Sequence, residues 1–325
     1  MTQPSKTSIS LIITVLNEEK TIKLLLDAIK KQNLLPSEII IVDGGSTDRT
    51  LKIIQKFAQK NPKLKIKSFV KKGNRSVGRN FAIQEAKNQL IAITDAGCIP
   101  QRDWLEQLYK KWLEANSSDD KKQQTKVVAG YYQGQADTAF QEAVIPYVLV
   151  MPERVNEKNF LPATRSMLIE KSIWQQVNGF DKKLNYNEDY AFAKKLKKQG
   201  FRIVFAKKAV VDWLPRTNLK AFMKMIYLFA RGDIEAGILR PKVILIFARY
   251  FLMVFILVLL EWKISGQTAL LVALTALIIY SAWAIVKNLK YTPKGWFYLP
   301  LLQISSDLAV ILGSLRGFFI YYFLK

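Results

Sequence analysis

The stretch Ser37–Thr50, SEIIIVDGGSTDRT, decides the fold class. Its first half is an apolar, β-branched run of the kind that makes a buried strand. The run ends in Asp43, turns at Gly44-Gly45, and gives way to Leu51, Ile54, Phe57 and Ala58 at helical spacing. The same succession recurs on both sides. Upstream, SISLIITVL (Ser8–Leu16) is a strand, followed by Ile22, Leu25, Leu26 and Ile29 on one helical face. Downstream, Leu64–Val70 is a third strand, Val77–Lys87 a helix and Leu90–Thr94 a fourth strand. Strands alternating with helices imply an α/β fold with right-handed crossovers and a mostly parallel sheet covered on both faces. Ligands of such sheets sit beyond the carboxyl ends of the strands.

Polar residues collect at those ends. The first strand delivers Asn17-Glu18, the second Asp43, and the fourth, in LIAITDAGCIP (Leu90–Pro100), Asp95 with Gly97. One aspartate after a strand is commonly a turn or helix-cap residue, and Asp48 is assigned that role for the helix beginning near Arg49. Several polar strand ends on one edge point instead to a pocket. Further on, NSSDDKKQQTK after Ala115 is a polar loop, Val127–Tyr132 a strand, Ala139–Leu149 an apolar helix and ATRSMLI another strand. In GFDKKLNYNEDYAFAKKLKKQG, Asn187 is placed to cap a helix with Glu188 and Asp189 in its first turn. Acids there complement the helix dipole, or face a pocket.

The formal net charge is +23, with no histidine and a single cysteine, Cys98. The lysines are scattered and accompany no nucleic-acid-binding motif, so the charge fits a domain held at an anionic membrane surface rather than one that binds nucleic acid. One cysteine excludes an intramolecular disulfide and a Cys-rich zinc site; with no histidine either, a transition-metal cluster is not expected. Three nearly continuous apolar runs, Lys242–Leu260, Gln267–Val286 and Trp296–Leu324, predict a membrane domain of three helices over residues 241–325. The third run carries Asp307 and Arg316. Either these charges face a protein interior or polar cavity, or the run breaks at Ser305-Ser306 into an interfacial piece and a shorter span. Arg240, Lys242, Lys287, Lys290 and Lys294 lie on one side of the spans and only Lys263 on the other, which places the N-terminal domain in the cytoplasm. MTQPSKTSIS has no apolar core of a signal peptide, so no cleaved leader is expected. In NLKAFMKMIYLFARGD, Phe222, Met225, Ile226 and Phe229 share a helical face. Its position next to the first span predicts an interfacial helix near residues 218–232.

TVLNEE, VDGGSTDRT, GRNFAI, ITDAGCIP, NGFDKKL and NEDYAFAKKLKKQG occur in that order. Together they resemble the motifs of the family 2 inverting glycosyltransferases of GT-A fold, including bacterial members with C-terminal membrane spans. The resemblance covers roughly Ser8–Gly232. It implies a GT-A domain over residues 1–240, a nucleotide-diphosphate sugar as donor, and a lipid-linked or cell-envelope glycan as acceptor. It also implies a multi-pass protein of the cytoplasmic (inner) membrane. Asp43 matches the acid that reads the nucleobase edge, Asn17 and Glu18 flank the same pocket, and Arg75 and Arg79 fall in the segment approaching base and phosphates. Asp95 matches the first acid of the family's DXD motif and would hold Mg²⁺ or Mn²⁺. Gly97 departs from that motif, which weakens the metal site. Asp189 matches the general base, with Glu188 the alternative. Arg231 and Asp233 fall in the acceptor and diphosphate segment, and Asp212 stands where the family often has a histidine, which leaves a third metal ligand in doubt. Two other readings are a polyprenyl-phosphate glycosyl synthase and a non-catalytic nucleotide-sugar-binding membrane subunit. A nucleotidyl transferase would carry a Gly-rich basic loop after the first strand, where TVLNEEKT has acids.

Overall fold

A computed structural model describes residues 8–117 and 126–323. Strands β1 (Ile9–Val15), β2 (Glu38–Asp43), β3 (Ile66–Val70) and β4 (Leu90–Ile93) pair in parallel in the order β3-β2-β1-β4. They alternate with helices α1 (Ile22–Lys30), α2 (Thr50–Lys60) and α3 (Arg75–Glu85). Every residue of β2 is buried, so side chains on both faces need to be apolar or paired; hence the unbroken run that dominates its sequence. The third strand starts at Ile66 rather than Leu64, because Pro62 initiates a 3-10 turn that ends with Lys65 in the left-handed region. Helix α3 starts two residues earlier than its apolar spacing suggests, since the Asn74 side chain accepts the Val77 N–H at 3.1 Å and caps it. It also lies close on the sheet. A Cβ on Gly78 would stand 2.9 Å from Thr14 Cγ2.

Beyond β4 the parallel pattern ends. The chain continues through β5 (Cys98–Pro100), α4 (Trp104–Ala115), β6 (Val127–Gly134), α5 (Ala139–Val148) and β7 (Met167–Glu170). Then follow α6 (Lys171–Gln176), α7 (Glu188–Lys198) and β8 (Ile203–Trp213). The full order is β3-β2-β1-β4-β7-β6-β8-β5, with β7 antiparallel to both β4 and β6, β6 parallel to β8, and β5 antiparallel to β8. Four of its seven pairings are parallel, so the sheet is mixed and, as expected, mostly parallel. The polar loop read over 116–126 lies largely outside the described residues. Between Gly130 and Tyr131 the pairing with β8 skips Lys207–Ala209. A Cβ on Gly130 would fall 1.9 Å from Ser166 Oγ, so a strand glycine is required there. The core beneath the strand ends joins Ile12, Val42, Ile83, Ile93, Met167, Phe180 and Phe192.

The chain divides into two compact units, Met1–Gly134 with Met151–Leu214, and Gln135–Val150 with Pro215–Lys325. Helix α5 and helix α8 (Leu219–Glu235) belong with the C-terminal helices α9 (Pro241–Lys263), α10 (Gly266–Asn288) and α11 (Leu299–Phe323). Gly313 and Gly317 explain this, because small residues four apart let two helices approach along their backbones. A Cβ on Gly313 would lie 2.3 Å from the Tyr227 carbonyl oxygen of α8, and one on Gly317 2.8 Å from that of Arg231. Phe222, Met225, Ile226 and Ala230 of α8 are buried, and the Tyr147 ring meets Phe222 edge-on. Of the apolar face read for this helix, Phe222, Met225 and Ile226 are thus buried and Phe229 is half-buried.

Three segments, Pro241–Lys263, Gly266–Tyr291 and Trp296–Phe323, are long and apolar enough to cross a membrane. Helix α11 runs unbroken through Ser305-Ser306. Of the two alternatives for Asp307, it takes the protein interior. Its Oδ2 accepts bonds from Arg249 Nη2 (2.7 Å), the Tyr250 hydroxyl (3.1 Å) and the Tyr280 hydroxyl (2.5 Å), and its Oδ1 one from Gln303 Nε2 (3.1 Å). Arg316 is exposed and lies over the Phe319 ring.

Candidate active site

The loops after β1 and β2 are stitched to each other. Asn17, at φ 56°, donates its N–H to Ser46 Oγ (2.8 Å), and its Oδ1 accepts the Thr47 N–H (2.9 Å). The Glu18 N–H donates to Thr50 Oγ1 (2.7 Å) and the Glu19 N–H to Asp48 Oδ2 (3.1 Å). Asp43 is buried, and its Oδ1 accepts the N–H groups of Gly45 (2.8 Å) and Ser46 (2.6 Å), an Asx turn that sets the loop. The Glu18 carboxylate accepts from Thr21 Oγ1 (2.5 Å). Asp48 accepts the Thr50 N–H (2.9 Å) at the start of α2, the helix-end role read for it. Asn17, Glu18 and Asp43 therefore share one sheet edge, with part of their bonding capacity spent inside the loops.

Helix α3 carries Arg75 and Arg79 one turn apart. Arg75 is exposed. Arg79 is only 2% exposed and joins two acids, its Nη2 at 2.8 Å from Asp95 Oδ1 and its Nη1 at 2.5 Å from Glu188 Oε1. The Phe180 ring lies against its guanidinium, and Asn80, the next residue, locks that region by accepting the Phe180 N–H and Trp174 Nε1 and donating to the Phe180 carbonyl. Arg79, placed by its motif beside base and phosphates, here pairs with two of the acids that line the edge. Two of the buried atoms, Arg79 Nε and Glu188 Oε2, have no hydrogen-bond partner among the described residues. Such atoms cost stability and are tolerated most where chemistry requires the group.

Asp189, beside Glu188, is half-buried at the start of α7. Asn187 occupies the cap position but makes no capping side-chain bond, its backbone taking the left-handed conformation at φ 54°. Burial, and then the negative charge of Glu188, raises the Asp189 pKa above the usual aspartate value despite Arg79 and Arg165. For Asp95, burial acts upward, but Arg79, Arg75 and Arg165 outweigh it and hold the carboxyl below its usual value. Burial disfavours charge on Arg79, yet Asp95, Glu188 and Asp189 keep its pKa above that of an ordinary arginine. One edge thus holds a firmly ionised carboxylate and, close by, a more basic one.

Thr164 and Arg165 were not singled out from the sequence, where ATRSMLI reads only as a strand. Strand β7 runs antiparallel to β4, so the residues before it land beside the residues after β4. Thr164 Oγ1 donates to Asp95 Oδ2 (3.3 Å) and Thr94 Oγ1 to the Arg165 carbonyl (2.9 Å). Arg231 and Asp233 belong to the other unit and form ion pairs there, Arg231 with Glu235 (2.6 Å) and Asp233 with Arg240 (2.5 Å).

Among the described residues, no group of three or more His, Cys, Asp or Glu side chains is arranged to hold a metal ion. Asp212 does not complete one. Its Oδ1 accepts from Gln133 Nε2 (2.8 Å) and Gln101 Nε2 (3.2 Å), and it alternates along β8 with Trp213, whose ring faces Arg165, so it points to the opposite face of the strand. What remains for a hard cation is Asp95, with Oδ1 taken by Arg79 and Oδ2 held only by the long Thr164 bond. That fits a cation drawing its other ligands from phosphate and water.

Residues 10–173 match the family model of glycosyl transferase family 2, just over half of the 325-residue chain. The chain belongs to glycosyl transferase family 2. This family 2 chain is a glycosyltransferase, and the matched segment runs from β1 into α6, so Glu188 and Asp189 lie beyond it. It is 24% identical over 236 residues to glycosyltransferase AglE of Haloferax volcanii, covering 71% of this chain and 74% of AglE. It is 26% identical over 233 residues to the succinoglycan biosynthesis protein ExoA of Rhizobium meliloti, covering 70% of this chain and 69% of ExoA. Among solved structures it resembles the mannosyltransferase PcManGT of Pyrobaculum calidifontis, in complex with GDP-Man and Mn²⁺. The TM-score is 0.57 at 19% identity, over 95% of this chain and 88% of that one. The family 2 chain therefore has a GT-A-like fold, a mixed sheet with helices, as the motif resemblance implies.

Proposed function

We propose that this family 2 enzyme moves a sugar, with inversion, from a nucleoside-diphosphate sugar to a hydroxyl of a lipid-linked or cell-envelope glycan. The observation that carries the reading is the Arg79 bridge, which seats Asp95 and Glu188 on one edge and leaves Asp189 beside them. The acceptor oxygen attacks the anomeric carbon, the bond from that carbon to the diphosphate breaks, and its electron pair leaves on the diphosphate. Asp189 takes the acceptor proton, and its raised pKa suits that task. Glu188 orients α7 through Arg79. Asp43, Asn17 and Glu18 line the nucleoside side, and exposed Arg75 faces the phosphates. Mg²⁺ or Mn²⁺, when bound at Asp95, would neutralise charge on the diphosphate; the fold neighbour PcManGT is described with GDP-Man and Mn²⁺.

The three apolar C-terminal helices support a multi-pass anchor in the inner membrane, and the lysine placement supports a cytoplasmic catalytic unit. The test is release of nucleoside diphosphate by the full chain in detergent, from a panel of UDP- and GDP-sugars with and without Mg²⁺ or Mn²⁺. Turnover of at least one donor, lost in Asp95→Asn, is expected. No turnover across the panel, or an undiminished Asp95→Asn, would overturn the reading.

A further inference from the structure

We propose that Arg165 is a catalytic residue, the cation that grips the phosphate next to the sugar and receives its charge as the diphosphate leaves. The proposal rests on the nucleoside-diphosphate-sugar reading above and assigns a leaving-group contact within it.

The position is built from two sides. Arg165 is tied through its carbonyl to Thr94 Oγ1, and its neighbour Thr164 is tied to Asp95 Oδ2, so the backbone of Arg165 is anchored at the end of β4. Its guanidinium lies on two aromatic rings, 5.2 Å from the Tyr132 centroid and 5.7 Å from that of Trp213. Ring faces hold the guanidinium plane and leave the N–H groups around its edge free to donate.

Asp189 and Asp95, the acids near Arg165, act on it only at longer range. Arg79 is paired with two carboxylates, whereas Arg165, half-buried, makes no ion pair among the described residues. A sheltered guanidinium without an acid partner fits an anion that arrives with the substrate, and arginine donates to phosphate through two parallel bonds. Arg165 acts electrostatically on both Asp95 and Asp189, which agrees with a place between the donor side and the base side of the edge.

In the transfer step, the acceptor oxygen bonds to the anomeric carbon as the carbon–oxygen bond to the diphosphate breaks. The electron pair stays on the departing phosphate oxygen and the acceptor proton passes to Asp189. Negative charge therefore grows on that phosphate, where fixed donors contribute most.

The competing role for Arg165 is purely structural, a spacer between Tyr132 and Trp213. Calorimetric titration of the full chain in detergent with UDP and UMP, and with GDP and GMP, separates the two. Arg165→Gln should weaken the diphosphate that binds by about tenfold or more, and leave its monophosphate within about twofold, because the monophosphate lacks the gripped group. With the donor found by turnover, kcat should fall about 100-fold. Arg165→Lys keeps the charge without the fork and should fall in between; it also carries the test if the glutamine variant does not fold. Equal weakening of diphosphate and monophosphate, or no weakening in either variant, overturns the assignment. If the unmodified protein binds neither UDP, GDP, UMP nor GMP, the donor reading itself falls and the assignment with it.

Discussion

Arg79 Nη1 stands 2.5 Å from Glu188 Oε1, and both side chains are sealed from solvent. Removing one member of such a pair leaves a buried charge with no partner, at a cost of about 3–5 kcal/mol. Arg79→Gln should therefore lower the thermal unfolding midpoint sharply. Arg79→Met combined with Glu188→Leu should recover much of the loss, because apolar side chains of similar volume can replace a buried pair. Unfolding in detergent, followed by circular dichroism, checks both; no recovery in the double variant would mean that Asp95, not Glu188, dominates the energetics of the arginine.

Asp189→Asn keeps size and polarity but removes basicity. Turnover should fall by about 10²–10⁴-fold with donor affinity little changed. Glu188→Gln should act mainly through stability, since its carboxylate faces Arg79. The pH profile adds a sign. Asp189 must be ionised to accept a proton, and burial followed by Glu188 raises its pKa, so kcat should climb with pH along a limb displaced upward from that of an ordinary aspartate. Arg79 acts to lower that pKa, so Arg79→Gln should move the limb to higher pH. A limb unmoved in that variant and still present in Asp189→Asn would assign the titration to another group.

Gly97 stands where the family motif has its second acid, and a Cβ there would meet nothing within 4 Å. Gly97→Asp should fold normally and place a second carboxylate two residues from Asp95. Mn²⁺ titrated in the presence of the nucleoside diphosphate should bind more tightly than to the unmodified protein. An unchanged affinity would indicate that Asp95 does not approach the cation.

At Gly313 the space is absent, since the added Cβ would press on the Tyr227 carbonyl. Gly313→Leu should cost about 1–3 kcal/mol through overpacking and lower the melting temperature, while Gly266→Leu, in open surroundings, should not. Similar melting of the two variants would show that the glycine contact does not hold α8.

Topology is open to labelling. In a Cys98→Ser background, Lys294→Cys should resist a membrane-impermeant thiol reagent in intact cells, and Gln267→Cys should react, both positions being exposed on the protein itself. The reverse pattern would place the catalytic unit outside.

The parallel half of the sheet was legible because Ser8–Leu16, Glu38–Asp43 and Leu90–Thr94 obey one rule, apolar strand then polar end. The other half was not. β5 is three residues long, too short to show a period, and the antiparallel course of β7 depends on pairing with β4 that no local pattern encodes. For the same reason Thr164 and Arg165 escaped notice, although Asp95, Glu188 and Asp189 did not. Arg79 was placed beside base and phosphates by the family resemblance; its pairing with Glu188 depends on the meeting of α3 with α7, which no local pattern encodes. The four-residue spacing of Gly313 and Gly317 was in plain view, and its meaning needed a partner helix.

The network around Asp307 has a consequence for how the protein is made. A lone aspartate near the middle of a hydrophobic segment costs about 2.5–3.5 kcal/mol at insertion, and α11 also carries Arg316. Every side chain that satisfies Asp307 outside its own helix comes from α9 or α10, which leave the ribosome first. In the proposed multi-pass arrangement, segment three would be released into lipid at least cost while the two earlier segments are still waiting at the insertion site. Arg249, Tyr250 and Tyr280 then serve as its reception, so that loss of Arg249 would appear first as a defect in biogenesis, with chains left partly inserted and degraded, before any defect in sugar transfer.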